Sequence, residues 1–237
     1  MRYSLILLMF IGLALAPVPA LAQQPSVVIC VIEKSSGTLR DVGMTKTVMS
    51  GALSSKGWNV IDINEYPLSA SGEDLNAYLY GRDGKRGEYS SSSVSAHISA
   101  KGDVALDTKN VWSLTDRDLH GLKWRIDLDK AQSTATAAGG KYLIYGEIDT
   151  KEIPRKDLPE GFASEGYYSV VALANLRLVD TASRATLATF VDQVTAMQLS
   201  KDVAEMNAIR GVGQKAGEYF AKQVNVPQAP AAPAQPR

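Results

Sequence analysis

Carboxylates are the side chains whose number and spacing come nearest to a reaction centre in this sequence. Asp116, Asp118, Asp127 and Asp129 crowd into one stretch, and Glu147 with Asp149 closes a strand-like run. Two carboxyl groups held about 5–10 Å apart can hydrolyse a glycosidic bond, one as acid and the other as base or nucleophile. A glycan hydrolase using carboxylates among Asp116, Asp118 and Glu147 is therefore one reading. Asp127 and Asp129, however, stand where a helix begins, and capping with the helix dipole explains them without chemistry. The nucleophile signatures are missing: there is no G-x-S-x-G, no S-x-x-K and no H-E-x-x-H. A serine triad would have to borrow His97, in an alternating strand, or His120, in the segment Asp116-Arg-Asp-Leu-His-Gly121. Gly211-Val-Gly213 with Gly217 imitates a phosphate loop. It follows no strand and lies inside a helical pattern, so these glycines read as small residues that let a helix approach a sheet. No catalytic residue, cofactor site or metal site is expected.

The positioning elements follow from length and pattern. The chain has 237 residues. Met1 to Ala22 reads as a secretory signal, with Arg2, an apolar run from Leu5 to Ala16, and Ala20-Leu21-Ala22 as the cleavage triplet. Removing it leaves 237 − 22 = 215 residues, and without Arg2 the 25 basic residues become 24 against 25 acidic, a net charge of −1. So balanced a chain shows no electrostatic footprint for nucleic acid. No later segment is apolar for about 18 residues or more, so no transmembrane helix is expected. Cys30 is the lone cysteine; no intramolecular disulfide can form, and its apolar neighbours mark a buried thiol. Two histidines and one cysteine argue against a zinc site of ordinary ligands. A periplasmic or secreted, non-lipidated protein is expected, with one domain over 23–225 and a Pro/Ala-rich disordered tail over 226–237.

Within that domain, Ser26 to Ile32 is a continuous apolar run, as in a strand covered on both faces. A helix is expected over 39–55, ending at Gly57, and a strand over 58–63. From Tyr66 to about Trp124 the signals weaken. A short helix over 74–80 is possible, and a hairpin over 94–106 turns at Lys101-Gly-Asp103; this stretch reads as a surface excursion. A helix over 127–138 ends at Gly139-Gly140, and Tyr142 to Tyr145 is a strand. The polar segment 149–166 reads as a loop, Tyr167 to Asp180 and Thr186 to Gln198 as a hairpin, and 201–224 as the last helix. The fold class expected is α/β: one mixed sheet with packed helices, in the order β-α-β-(insert)-α-β-β-β-α.

Three blocks carry a resemblance. The apolar strand, helix and Gly57-Trp-Asn-Val-Ile61 resemble the opening βαβ unit of the CsgG-like envelope protein superfamily. Ala138-Gly-Gly-Lys-Tyr-Leu-Ile-Tyr-Gly-Glu147 is similar to its G-A-(K/R)-Y-x-(I/L)-x-G strand. Asn175-Leu-Arg-Leu-Val-Asp-Thr181 with Thr186-Leu-Ala-Thr189 is similar to its L-R-L-V-D-x-x-T-G-E-I-L hairpin. About 130 residues are covered, and no single motif is specific. The resemblance implies a non-enzymatic envelope assembly or interaction protein, of the kind that includes the curli channel and the activator lipoprotein of penicillin-binding proteins. Its partners would be envelope proteins, and it could be oligomeric. A pore is not implied, because 149–166 is charged and broken by prolines, and 194–202 is too short for membrane hairpins.

The excursion at 66–124 is the expected partner surface. Tyr78, Tyr80, Tyr89, Trp112 and Trp124, with Arg117 and Lys123 beside the tryptophans, are the residue types that anchor interfaces. The competing reading is that the hairpin extends the sheet and these aromatics cover it.

Overall fold

A strand with apolar surroundings on both sides sets the architecture. The structure, a computed structural model, describes residues 24–40, 43–63, 65–71, 93–99, 104–106, 122–159, 161–162 and 165–224. The expected signal, the short helix over 74–80 and the expected tail lie outside these residues. The elements are β1 (Ser26–Ser35), β2 (Thr38–Leu39), α1 (Gly43–Ser54), β3 (Asn59–Ile61), β4 (Glu65–Ser71), β5 (Ser93–Ser99), β6 (Val104–Leu106) and β7 (Arg125–Ile126). Then come α2 (Leu128–Ala137), β8 (Tyr142–Ile153), a 3-10 turn (Arg155–Asp157), β9 (Tyr168–Asp180), β10 (Thr186–Gln198) and α3 (Lys201–Ala221).

The mixed α+β class is as expected, but there are two sheets. The larger runs β10–β9–β8–β1–β2, with β3 also paired to β1; the smaller runs β6–β5–β4–β7. β1 is parallel to β3 and β8, while β8–β9 and β9–β10 are antiparallel. Among its described residues the excursion does not extend the main sheet, and Tyr66, Leu68, Ala96, Ile98, Leu122 and Trp124 are buried rather than on the surface. Its strands pair with one another, β4 with β5 and β5 with β6, both antiparallel, and so make most of the smaller sheet.

β1 shows why both layers are needed. Val27, Ile29 and Val31 face a core built with Met49 and Leu53 of α1 and Ala208, Val212, Ala216 and Phe220 of α3. Val28, Cys30 and Ile32 face a second core, made with Ala131 and Ala135 of α2, Tyr66 and Leu68 of β4, Ile98 of β5, and Leu122 and Trp124. Alternation sends successive side chains to opposite faces, so a strand apolar at every position is stable only in the middle of a sandwich. Each fully buried aliphatic side chain contributes about 1.5–3 kcal/mol, which is why neither layer is dispensable.

Boundaries moved for identifiable reasons. The first helix starts at Gly43 rather than near 39, because Thr38 and Leu39 pair back onto Ser35 and Lys34 of β1. Glu33 of β1 then supplies the helix start: its Oε1 accepts from the Thr45 amide at 2.6 Å. β8 runs eight residues past Tyr145, to Ile153, and so takes in the first five residues of the stretch read as loop. Its polar residues alternate, with Ile148 and Thr150 buried and Asp149 and Lys151 on the other side. The Gly211 pattern divides in two. A Cβ at Gly211 would sit 2.8 Å from Val194 of β10, so that glycine does approach the sheet. Gly217 instead meets α1, where a Cβ would lie 2.7 Å from the Ala52 Cβ.

Candidate interaction surface

Of the residues expected to form a partner surface, Tyr78, Tyr80, Tyr89, Trp112 and Arg117 lie outside the described residues. Lys123 is exposed, and Trp124 is completely buried. The placing of Trp124 corrects the expectation. Leu122, Lys123 and Trp124 alternate in, out and in as the chain enters β7, and the indole becomes part of the second core. The carboxylates divide similarly. Asp116, Asp118 and His120 are outside the described residues, as is the side chain of His97. Asp127 caps α2, accepting from the Lys130 amide at 3.2 Å, and Asp129 pairs with Arg184 at 3.3 Å on the surface. Glu147 is ion-paired with Lys34.

What the fold leaves open is the second face of β8, β9 and β10. α2 and the smaller sheet cover that face over β1 and the start of β8, where Leu143 is buried and Tyr145 partly so. Beyond that, among the described residues, the cover stops. Pairing register places the residues of this face in rows: Ile32, Glu147, Asn175 and Val191 in one, and Lys34, Asp149, Leu173 and Gln193 in the next. A third row holds Cys30, Tyr145, Arg177 and Thr189. The β1 members are the covered end, and the β10 members the open end.

Two adjoining recesses mark this face. The first, about 240 Å³, is lined by Ile32, Arg125, Ile126, Tyr145, Gly146, Glu147, Asn175 and Arg177. The second, about 540 Å³, is lined by Glu147, Asp149, Leu173, Asn175, Val191, Gln193 and their neighbours. They share Glu147 and Asn175, so they read as one shallow trough across the strands. Two arginines stand at the β7 end and two carboxylates in the middle. Gly146 shapes the floor. Its φ of +142° and a would-be Cβ only 2.1 Å from the Asn175 carbonyl allow no side chain there.

Leu173 and Val191 are apolar side chains on the open face, and Val191 is 74% exposed. Sequence reasoning missed this surface, although a signal existed. Ala172, Ala174, Leu176 and Leu178 of β9 take the buried side. Strict alternation then puts Leu173, Asn175 and Arg177 outward. An apolar residue on a strand's wet side, flanked by a charge and an amide, is the composition of a contact surface rather than of a core.

Charges around the trough are locked by neighbours. Asp149 accepts from the Gly37 amide at 2.9 Å and lies 3.7 Å from Lys151. On the helix side of β10, Lys215 donates to Asp192 at 3.0 Å and holds its carboxyl below the usual carboxylate range, helped by the Gln193 amide. Below the sheet, Glu205 of α3 is buried. Burial alone would raise its carboxyl. Hydrogen bonds from Thr150 and Ser35 and the Arg40 guanidinium, 2.6 Å away, overcome that and hold it below the usual range. This knot ties α3 to β8 and to the β1–β2 turn.

No protein family matches this sequence. No curated protein matches it either. Several solved structures with a similar course of the chain are of bacterial proteins, lipoproteins among them. Lipoprotein GNA1162 from Neisseria meningitidis is 13% identical over 82% of this chain and 99% of its own, with a TM-score of 0.32. A PelC dodecamer from Paraburkholderia phytofirmans is 10% identical, over 85% and 89%, with a TM-score of 0.36. The LpoB C-terminal domain from Salmonella enterica is 12% identical, over 74% and 86%, with a TM-score of 0.31. At such scores the correspondence is loose, and it transfers no site from those proteins to this one.

Proposed function

We propose that this chain is a non-enzymatic interaction protein of the bacterial cell envelope, CsgG-like in type but not pore-forming, which is exported, cleaved near Ala22, and works by holding another envelope protein. The observation that carries this reading is the open face of β8, β9 and β10, where Leu173 and Val191 stand among Asn175, Gln193, Arg177 and Glu147. Apolar anchors ringed by charge and amide suit a protein surface that is wet when free and covered when bound. The three motif blocks that resemble the CsgG-like superfamily support it too. The segment between β8 and β9 carries Pro154, Pro159 and a 3-10 turn, and only Leu199 and Ser200 separate β10 from α3. Among the described residues neither connection holds a hairpin able to line a membrane barrel. Among the described residues no helix is long and apolar enough to cross a membrane.

A photo-reactive amino acid at Leu173 of the full chain, expressed in its own cells, tests the reading. An adduct with an envelope protein is expected, and Arg177→Glu should weaken it. A second arm incubates purified protein with cell-wall glycan. Absence of any adduct, together with glycan cleavage abolished by Glu147→Gln, would replace the interaction protein with the hydrolase.

A further inference from the structure

The two edges of the larger sheet are unequal. On the β1 side the sheet ends in β2 and β3, which are two and three residues long. On the other side it ends in β10, thirteen residues long and paired only to β9 among the described residues. Long open edges are normally protected by proline, by lysine, by inward charges or by brevity. β10 contains no proline, lysine or arginine. Its one charge, Asp192, is already matched by Lys215 of α3. The single irregularity in its pairing lies at its start, between Thr186 and Ala188.

The sequence of this edge is close to a palindrome in chemical type. Laid antiparallel beside a second copy of itself and centred on Asp192, Thr189 meets Thr195, Ala188 meets Ala196, and Leu187 meets Met197. Phe190 meets Val194 and Val191 meets Gln193. An isologous contact demands this property, since a residue facing its partner's equivalent position must tolerate it in both directions. The two Asp192 carboxylates meet at the axis, and a Lys215 ammonium from each copy flanks them, so the central cluster is neutral. Leu187 and Val191, 46% and 74% exposed, gain cross-strand neighbours on the outer face.

We propose that β10 pairs antiparallel with β10 of a second copy of this chain, about a two-fold axis at Asp192, joining the two larger sheets into one. α3 permits it. Gly211 sits against Val194, and Lys215 against Asp192, so the helix lies over the strand's inner face, and among the described residues no strand pairs with its outer edge. This goes beyond the partner-holding role, which uses the sheet's face rather than its edge.

The test uses the register. Thr189 and Thr195 are both exposed on the outer face, so charges there spare the fold. Sedimentation of the purified full chain, from micromolar to millimolar concentration, should show a monomer–dimer equilibrium. The double variant T189K/T195K sets lysine against lysine twice per dimer and should weaken association about tenfold. T189K/T195E sets lysine against glutamate at the same two places and should restore it. Amide exchange along β10 of the unaltered chain should slow as concentration rises, a readout that needs no variant. A chain that stays monomeric throughout, or a dimer indifferent to both variants with β10 exchange unchanged, overturns the proposal.

Discussion

Replacing Trp124 by alanine asks whether the stretch between β3 and α2 is core or surface. The indole is fully buried beside Tyr66, Leu68 and Leu122, against the inner residues of β1. A side chain of that size hides about 150–250 Å². At about 25 cal/mol per Å² this corresponds to about 4–6 kcal/mol, an upper figure because unfolded chains are not fully extended. Measured truncations of buried Trp and Phe fall at about 3–5 kcal/mol. The expected loss is therefore about 3–5 kcal/mol, a large share of the ~5–15 kcal/mol that holds an ordinary domain together. For a domain of this length, melting should drop by about 6–20 °C. Trp124→Phe, which keeps most of the contact, should lose only about 1–2 kcal/mol. Urea unfolding followed by far-ultraviolet circular dichroism measures both without relying on the altered fluorophore. A loss below about 1 kcal/mol for Trp124→Ala, the response of a surface residue, would refute the second core.

Glu205→Ala should destabilise by about 1–2 kcal/mol, since it removes a charged acceptor from the Thr150 hydroxyl, which keeps only the Lys34 carbonyl, and frees Arg40, which is partly in water already. The folded carboxyl lies below its ordinary value of 4.5, so its contribution is whole above that pH and drains as pH falls through the folded value. Acid titration of stability should accordingly be shallower in that window for Glu205→Gln, and an unchanged slope would count against the knot. Gly217→Ala should destabilise by about 1 kcal/mol or more, because its Cβ would meet Ala52 and the Met49 backbone, whereas Gly51→Ala, with nothing within 4 Å, should stabilise by about 0.5–1 kcal/mol in chemical denaturation. Burial pushes the Cys30 thiol well up and hides it. A thiol reagent at mildly alkaline pH should therefore label it at the rate of global unfolding, and rapid labelling of folded protein would show the second core to be loose.

The readable parts of the fold were those where one strong period ran uninterrupted. The unbroken apolar run of β1 implied cover on both faces, and the hairpin of β9 and β10 matched its expected bounds to within a residue. What could not be read depended on distant partners. Pro67 disguised β4 as something other than an inner strand. It is tolerated because β7 pairs only with Leu68 and Ser69, leaving no ladder bond for the missing N–H to make. The polar end of β8 looked like loop because its strand character comes from Glu33, Lys34 and Ser35 alongside, far away in sequence. The open face was harder still. Leu173 and Val191 are ordinary strand residues, and only the place where the smaller sheet stops covering makes them a surface. Trp124 was misplaced for the converse reason, since an aromatic between arginine and lysine neighbours is equally at home in a core or at an interface.

The central place of β1 also sets a schedule for the growing chain. Val27 pairs with Tyr142, and the two strands stay in register for nine residues. On one side β1 can close early with α1 and β3, which follow at once. On the other it waits for 142 − 27 = 115 residues, at about 5–20 residues per second, or roughly 6–23 s of synthesis. Closing so long a loop then costs about 4 kcal/mol of chain entropy, more than local structure recovers. Through that interval the first strand offers a sticky, unpaired edge and a bare apolar face. A holding chaperone would have its binding site within the first strand to be made.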